Sequence, residues 1–208
     1  MIRCPIYACS KLSGCNACKV LNYVIEHQEL TTILINRPNW VEVSNIVQEF
    51  KDKDIPIGVV TAQPLPREIV WDLSYSSKNV LQVNCCLADH NFDWIVELVH
   101  LSEICGLFCN VVLYPILPSI ITSADVIKVL DAIRNCEHCR IILKFGELKL
   151  NSFICENKHL KLGDHSIPLN YMIKCDEFMW KCSESYAEEF YQLVKFYTDV
   201  INMDIVIV

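Results

Sequence analysis

The segment "YACSKLSGCNACKV", residues 7 to 20, brings three thiols into ten positions. Cys9, Cys15 and Cys18 follow an apolar segment with the spacing C-x5-C-x2-C, and a helix-like segment comes after them. Thiolates bind zinc and iron–sulfur clusters, and a C-x2-C pair at a helix start is also typical of a redox dithiol. The residues alone leave three interpretations open: a metal site, a redox pair, or a chance cluster in a chain with 13 cysteines.

Composition limits the classes of protein to which this chain can belong. The N-terminus "MIRCPIYACS" lacks the long apolar stretch of a signal peptide, so we expect a cytoplasmic protein, in which clustered thiols favour metal binding or catalysis over disulfides. The apolar runs end well before the ~18 residues of a membrane span. A formal net charge of −7 argues against an extended nucleic-acid interface. The 208 residues, 52% of them hydrophobic, are enough for one sizeable core.

Polar residues occur where apolar strands are predicted to end. Gln82 and Asn84 share one face of the segment "NVLQVNCC", while Leu81 and Val83 share the other. A buried amide needs a hydrogen-bonding partner, and a bound ligand can provide one. The alternatives are an internal hydrogen-bond network and strand ends that face water. Further polar residues at or near strand ends are Asn36, Thr61, Tyr114 and Lys144.

The segments that must position these residues alternate between strand-like and helix-like sequence patterns. Short β-branched runs begin near residues 2, 31, 55, 79, 109 and 139, and segments with helical periodicity separate them. This alternation predicts an α/β fold of parallel strands, a partial or complete TIM-like barrel, with an open doubly wound sheet as the main rival. No strand is followed by GxGxxG or GxxxxGK[ST], which argues against the usual dinucleotide and P-loop sites.

Local signals define the ends of several elements. Gly106 is predicted to stop the helix in "NFDWIVELVHLSEICG", and Thr122 or Ser123 to cap the next helix, where Asp125 suits the helix dipole. The last third contains a Gly-Asp hairpin signal, a helix and a strand-like "MDIVIV". We therefore predict a barrel core over residues 1–148 and an α+β extension over residues 149–208 that helps close the barrel.

The cysteine loop after the first strand resembles that of the radical S-adenosylmethionine (radical SAM) enzymes. The resemblance covers roughly residues 2 to 148. The segment "LYPILPSIITSADVIKVLDAI" is similar to the family's proline-bearing loop and helix start, and "KNVLQVNCCLAD" looks like its fourth strand. The family's commonest spacing is C-x3-C-x2-C, so the loop of this chain is a variant.

The resemblance implies a [4Fe–4S] cluster held by Cys9, Cys15 and Cys18, with S-adenosylmethionine (SAM) on the open iron. It also implies an enzyme that generates a 5′-deoxyadenosyl radical, which abstracts hydrogen from a small or docked macromolecular substrate. An electron donor such as flavodoxin or ferredoxin is the implied partner. The residues implied to contact SAM are Asn36, Thr61, Gln82, Asn84 and Tyr114.

Two other functions remain open from the residues. The thiols, with Cys4 or a histidine as the fourth ligand, could form the zinc site of an interaction protein. Cys15 and Cys18 alone could form a thioredoxin-like dithiol. The second pair, Cys136 and Cys139 in "CEHC", precedes its strand. We expect it at the opposite end of the barrel, in a stabilising role.

Overall fold

The computed structural model describes residues 5–8, 31–35, 40–86, 92–149, 154–156, 159–162, 165–175, 179–201, 203 and 205–207. The strands are β1 (Pro5–Ala8), β2 (Thr31–Ile35), β3 (Ile57–Thr61), β4 (Val80–Cys86), β5 (Phe108–Ile116), β6 (Cys139–Phe145), β7 (Glu147–Lys149), β8 (Ile154–Glu156), β9 (His159–Leu162), β10 (His165–Pro168), β11 (Met172–Lys174), β12 (Met179–Cys182) and β13 (Ile205–Ile207). The helices are α1 (Trp40–Asp52), α2 (Arg67–Leu73), α3 (Asp93–Ile104), α4 (Ser123–Ile133) and α5 (Glu184–Ile201), and a short 3-10 helix spans Leu169–Tyr171.

Seven strands form the main sheet, in the order β1-β2-β3-β4-β5-β6-β13. Strands β1 to β4 pair in parallel with their sequence neighbours, and β13 pairs in parallel with β6. Parallel strands joined through helices are the α/β architecture of a partial TIM-like barrel, and this confirms the predicted fold class. Each of the six predicted strands begins within three residues of its expected position.

The chain divides into two compact units. The first consists of Met1–Asn84, Asp93–Val111 and Cys136–Cys139, and the second of Cys85–Phe92, Val112–Asn135 and Arg140–Val208. None of the described helices combines the length and the apolar character that a membrane crossing needs.

The core of the first unit includes one face of α1. Val43, Val47 and Phe50 recur at helical spacing and are at most 4% exposed, as the sequence predicts. Leu81 and Val83, at alternate positions of β4, are fully buried as well. Asn39, which precedes α1 in the sequence and is of a type favoured at helix N-caps, lies outside the described residues.

A buried amide connects the start of β3 to the end of α2. Asn79 Oδ1 accepts a hydrogen bond from the Ile57 backbone N–H at 2.8 Å, and Asn79 Nδ2 donates to the Leu73 carbonyl at 2.6 Å. Asn79 is fully buried, and the hydroxyl of Tyr75 donates nearby to the carbonyl of Ile55. Side-chain groups thus satisfy backbone groups at two element ends that water does not reach.

Helix α3 ends as the sequence predicts. Gly106 has a φ of +63°, and the N–H of Leu107 donates to the carbonyl of Ser102 at 2.9 Å. The backbone therefore turns into the left-handed conformation that favours glycine and closes the helix with a Schellman-type bond.

In the second unit, α4 begins with a complete capping box. The Thr122 hydroxyl accepts from the Asp125 N–H, and the Asp125 carboxylate accepts from the Thr122 N–H at 3.0 Å. This confirms Thr122 as the cap. The predicted hairpin is present as β9 and β10, with Leu162 opposite His165. Strands β11, β12 and β7 form a further small antiparallel sheet.

Candidate functional site

Four parallel strands of the first unit are aligned at their carboxyl ends. The register places Ala8 opposite Ile35, Ile35 opposite Thr61, and Thr61 opposite Val83. In βα barrels the active groups lie at this end of the strands and in the loops that follow. This row is therefore the edge of the sheet at which we expect a functional site.

Several predicted site residues come directly after this row in the sequence but lie outside the described residues. Cys9 follows Ala8 and Asn36 follows Ile35, and Cys15 and Cys18 belong to the same undescribed segment as Cys9. Their roles as cluster ligands and as a SAM contact stay predictions.

Gln82 and Asn84 occupy the face of β4 opposite its buried face. Leu81 and Val83 are fully buried, whereas Gln82 and Asn84 are half-buried. Gln82 Nε2 donates to Asn84 Oδ1 at 2.9 Å. A primary amide has two N–H donors and an acceptor oxygen, so this bond uses only part of the capacity of the pair. The predicted face is confirmed, and the pair is suited to binding a polar ligand.

Thr61 is engaged in a local turn. Its hydroxyl donates to the Gln63 carbonyl at 2.8 Å and accepts from the Gln63 N–H at 3.1 Å. Thr61 is also fully buried. In the conformation described, this side chain shapes the chain after β3, and its contact with SAM stays a prediction.

Tyr114 and Lys144 form a pair within the second unit. Lys144 Nζ lies 5.0 Å from the centroid of the Tyr114 ring, a cation–π contact. Tyr114 is 39% exposed although the preceding residue Leu113 is buried. The ring thus lies on an accessible face of β5 and holds a cationic group beside it. Its contact with SAM stays a prediction.

The second cysteine pair lies at the amino end of its strand. Cys139 is the first residue of β6, and Cys136 Sγ is 3.5 Å from His100 Nδ1. Burial raises the pKa of Cys136 and raises that of Cys139 to about 12, so both thiols are protonated at neutral pH. Across the described part of the chain, no three His, Cys, Asp or Glu side chains come together as metal ligands.

Sequence reasoning missed one polar residue on an accessible face within the first unit. Asn110 of β5 is half-buried, whereas Cys109 and Val111 on either side of it are fully buried. The same alternation that identified Gln82 and Asn84 would have found it.

Neither a protein-family profile nor a curated protein matches the sequence. Solved structures of spore photoproduct lyase, a radical SAM enzyme, are similar in fold. A double variant with bound AdoMet and dinucleoside spore photoproduct has a TM-score of 0.57 at 10% identity. A cysteine-to-alanine variant gives 0.56 at 12%, and the lyase complexed with dinucleoside spore photoproduct gives 0.56 at 11%.

Each of these similarities covers 92% of this chain and 64% of the lyase chain. The chain therefore spans less than two thirds of the length of the lyase structures. At such low identity the similarity establishes a shared fold.

Proposed function

We propose that this chain is a radical SAM enzyme that holds a [4Fe–4S] cluster through Cys9, Cys15 and Cys18 and binds SAM beside it. The observation that carries the proposal is the position of the thiol motif. The motif begins directly after Ala8, the last residue of β1, in a chain that shares the fold of an AdoMet-binding lyase. A cluster of net negative charge with one iron free of protein ligands suits a three-cysteine loop at that strand end.

The described residues would serve a SAM site in two different ways. The half-buried amides of Gln82 and Asn84 offer donors and acceptors to a polar ligand on the face of β4 away from the core. Thr61 is buried and already bonded to Gln63, so it acts on the site through the backbone of the turn. The SAM site would then use the two amides and, after β2, Asn36.

The bound cofactors would supply the 5′-deoxyadenosyl radical, and this chain's own residues would orient and shield it. Gln82 and Asn84 would fix the orientation of SAM by hydrogen bonds. The apolar residues Leu81 and Val83 anchor the strand in the core behind them, because both are fully buried. Reduction of the cluster needs an electron donor, such as a flavodoxin or a ferredoxin, as partner.

Iron binding and SAM cleavage test the proposal together. Anaerobically reconstituted protein is expected to carry about four irons per chain and to release 5′-deoxyadenosine from SAM when reduced. Replacing Cys9, Cys15 or Cys18 by Ala is expected to abolish both. Cys175→Ala is the matched control, because Cys175 is an exposed thiol in another part of the chain. Stoichiometric zinc in place of iron, with no 5′-deoxyadenosine, would overturn the proposal in favour of a zinc-binding interaction protein.

A further inference from the structure

In the second unit, β6 presents its two faces to different surroundings. The Phe145 ring packs edge-on against Phe190 and Tyr186 of α5, with centroid distances of 5.6 and 6.4 Å. Ile141 and Leu143 lie on the same face of the strand as Phe145 and are fully buried. Since side chains of a strand alternate, Lys144 lies on the face away from α5.

The face that carries Lys144 has the exposed Arg140 at its amino end, Ile142 in the middle and Lys144 at its carboxyl end. Val206 lies opposite Ile142 in the ladder between β13 and β6, and both are half-buried. Val112, on the same face of β5 as Tyr114, is half-buried too. An accessible apolar floor that ends in a cation suits a ligand that has an apolar body and an acidic group.

The ammonium group of Lys144 contacts an aromatic ring. Lys144 is not a member of any ion pair among the described residues. Those pairs use Lys51, Lys128, Arg134 and His138 as the cationic members. A cation over a ring keeps its N–H donors for an anion, whereas a salt bridge would consume them.

We propose that Lys144, positioned by the Tyr114 ring, binds the acidic group of the substrate, a phosphate or a carboxylate. The apolar part of that substrate then lies along Val112, Ile142 and Val206. This assignment rests on the proposed function, because it names the substrate class of that enzyme. It uses the ring of Tyr114, whereas the contact of Tyr114 with SAM predicted from the sequence is a separate expectation.

NMR of reductively ¹³C-methylated lysines tests this assignment on the full chain. The Lys144 signal is expected upfield of the other lysine signals because of the Tyr114 ring current, and Lys144→Arg identifies it by its disappearance. The probe is phenyl phosphate, which joins an apolar ring to an anion, and phenol is its uncharged control. Phenyl phosphate is expected to shift the Lys144 signal saturably, and phenol is not.

Matched variants supply the second measurement. Lys144→Gln removes the charge and Tyr114→Leu removes the ring, so each is expected to weaken phenyl phosphate binding, the former about tenfold. Lys128→Gln is the control, because Lys128 is an exposed lysine of α4 in the same unit. Unaltered binding to Lys144→Gln would overturn the assignment.

Two other results would overturn it as well. If S-adenosylhomocysteine shifts the Lys144 signal and phenyl phosphate does not, the lysine belongs to the cofactor site. If phenyl phosphate shifts all lysines alike, its binding is non-specific. The proposed function fails independently, through absent iron and absent 5′-deoxyadenosine in the wild-type protein. A saturable Lys144 response in that case would leave an anion site without radical chemistry.

Discussion

Gln82 donates a hydrogen bond of 2.9 Å from Nε2 to Asn84 Oδ1, on the face of β4 opposite the buried side chain of Val83. The two amides are partners, yet both remain half-buried. Because both amides are accessible to water, substitutions can distinguish a ligand-binding role of the pair from a structural one. If one amide is removed, water can solvate the other, so the folded protein loses little.

The first prediction follows from this pair. Gln82→Leu and Asn84→Leu are each expected to change the free energy of unfolding of the apo protein by less than about 1 kcal/mol. Each is expected to weaken SAM binding about tenfold, since a polar ligand would lose a hydrogen bond. Calorimetry of SAM binding and thermal unfolding measure the two effects. A large drop in melting temperature with unchanged SAM affinity would make the amides structural.

The second prediction concerns a fully buried amide. Asn79→Ala removes the partners of the Ile57 N–H and the Leu73 carbonyl at once. Each of the two buried groups left unsatisfied costs about 1–3 kcal/mol, so we expect a loss of roughly 2–6 kcal/mol in unfolding free energy. Urea denaturation measures it. Ser76→Ala is the control, because the Ser76 hydroxyl accepts an exposed hydrogen bond from the Lys78 N–H and the substitution keeps the backbone carbonyl that accepts from the Asn79 N–H. An equal loss there would refute the reasoning.

The third prediction concerns pH and the contact between His138 and Glu103. His138 Nδ1 lies 3.0 Å from Glu103 Oε1, and this hydrogen bond and the attraction of the carboxylate raise the histidine pKa above 6.5. Burial of Glu103 alone would raise its pKa, but its hydrogen bonds with His138 lower it below 4.5. The histidine contribution to stability is present below pH 6.5 and is lost as pH rises through the raised pKa. The glutamate contribution is present above pH 4.5 and is lost as pH falls through the lowered pKa.

The contact therefore stabilises the fold most between about pH 4.5 and pH 6.5. The difference in melting temperature between the wild type and His138→Gln is expected to be larger near pH 6 than near pH 8.5. In Glu103→Gln the histidine pKa, followed by NMR, is expected to fall. A difference that grows with pH would contradict this account.

The fourth prediction concerns the cysteines at the amino end of β6. Replacing Cys136 and Cys139 by Ser is expected to leave iron content intact, since Cys139 is the first residue of β6, whereas active groups of βα barrels lie at the carboxyl ends of the strands. The cost should appear as about 1–3 kcal/mol of unfolding free energy, because both thiols are buried. Elemental analysis and urea denaturation measure the two quantities. Iron falling by half would imply a second metal site.

The parts of the fold that local physics determines could be predicted. Thr122 and Asp125 form the expected capping box, and Gly106 has the positive φ expected of a helix stop. The alternation of polar and apolar residues in β4 correctly gave the accessible face of Gln82 and Asn84. In each case residues within four positions of one another decide the outcome.

Other features depend on residues that are distant in sequence. Helix α2 has only seven residues, too short for a periodic signal, and it was not predicted. For α5, helical spacing in the sequence predicts an apolar side formed by Phe190, Leu193, Val194 and Tyr197. Leu193 is nevertheless 54% exposed, whereas Thr198 is buried. The Thr198 hydroxyl donates to the Lys195 carbonyl at 3.0 Å, so a polar residue fits the core side. The contact between Lys144 of β6 and the Tyr114 ring of β5 brings together residues of two strands, so no local sequence pattern specifies it.

The ladder between β13 and β6 also bears on the order in which the chain folds. Ile205 pairs with Ile141, roughly sixty residues earlier, whereas β1 to β4 each pair with the strand next in sequence. To form a pairing of such long range, the chain loses loop-closure entropy before the stabilising contacts are made. We therefore expect this pairing late in folding. During synthesis on the ribosome, Ile141 and Leu143 therefore stay unpaired with β13 until β13 has left the exit tunnel. This edge of β6 is therefore the part of the nascent chain that we expect a chaperone to protect.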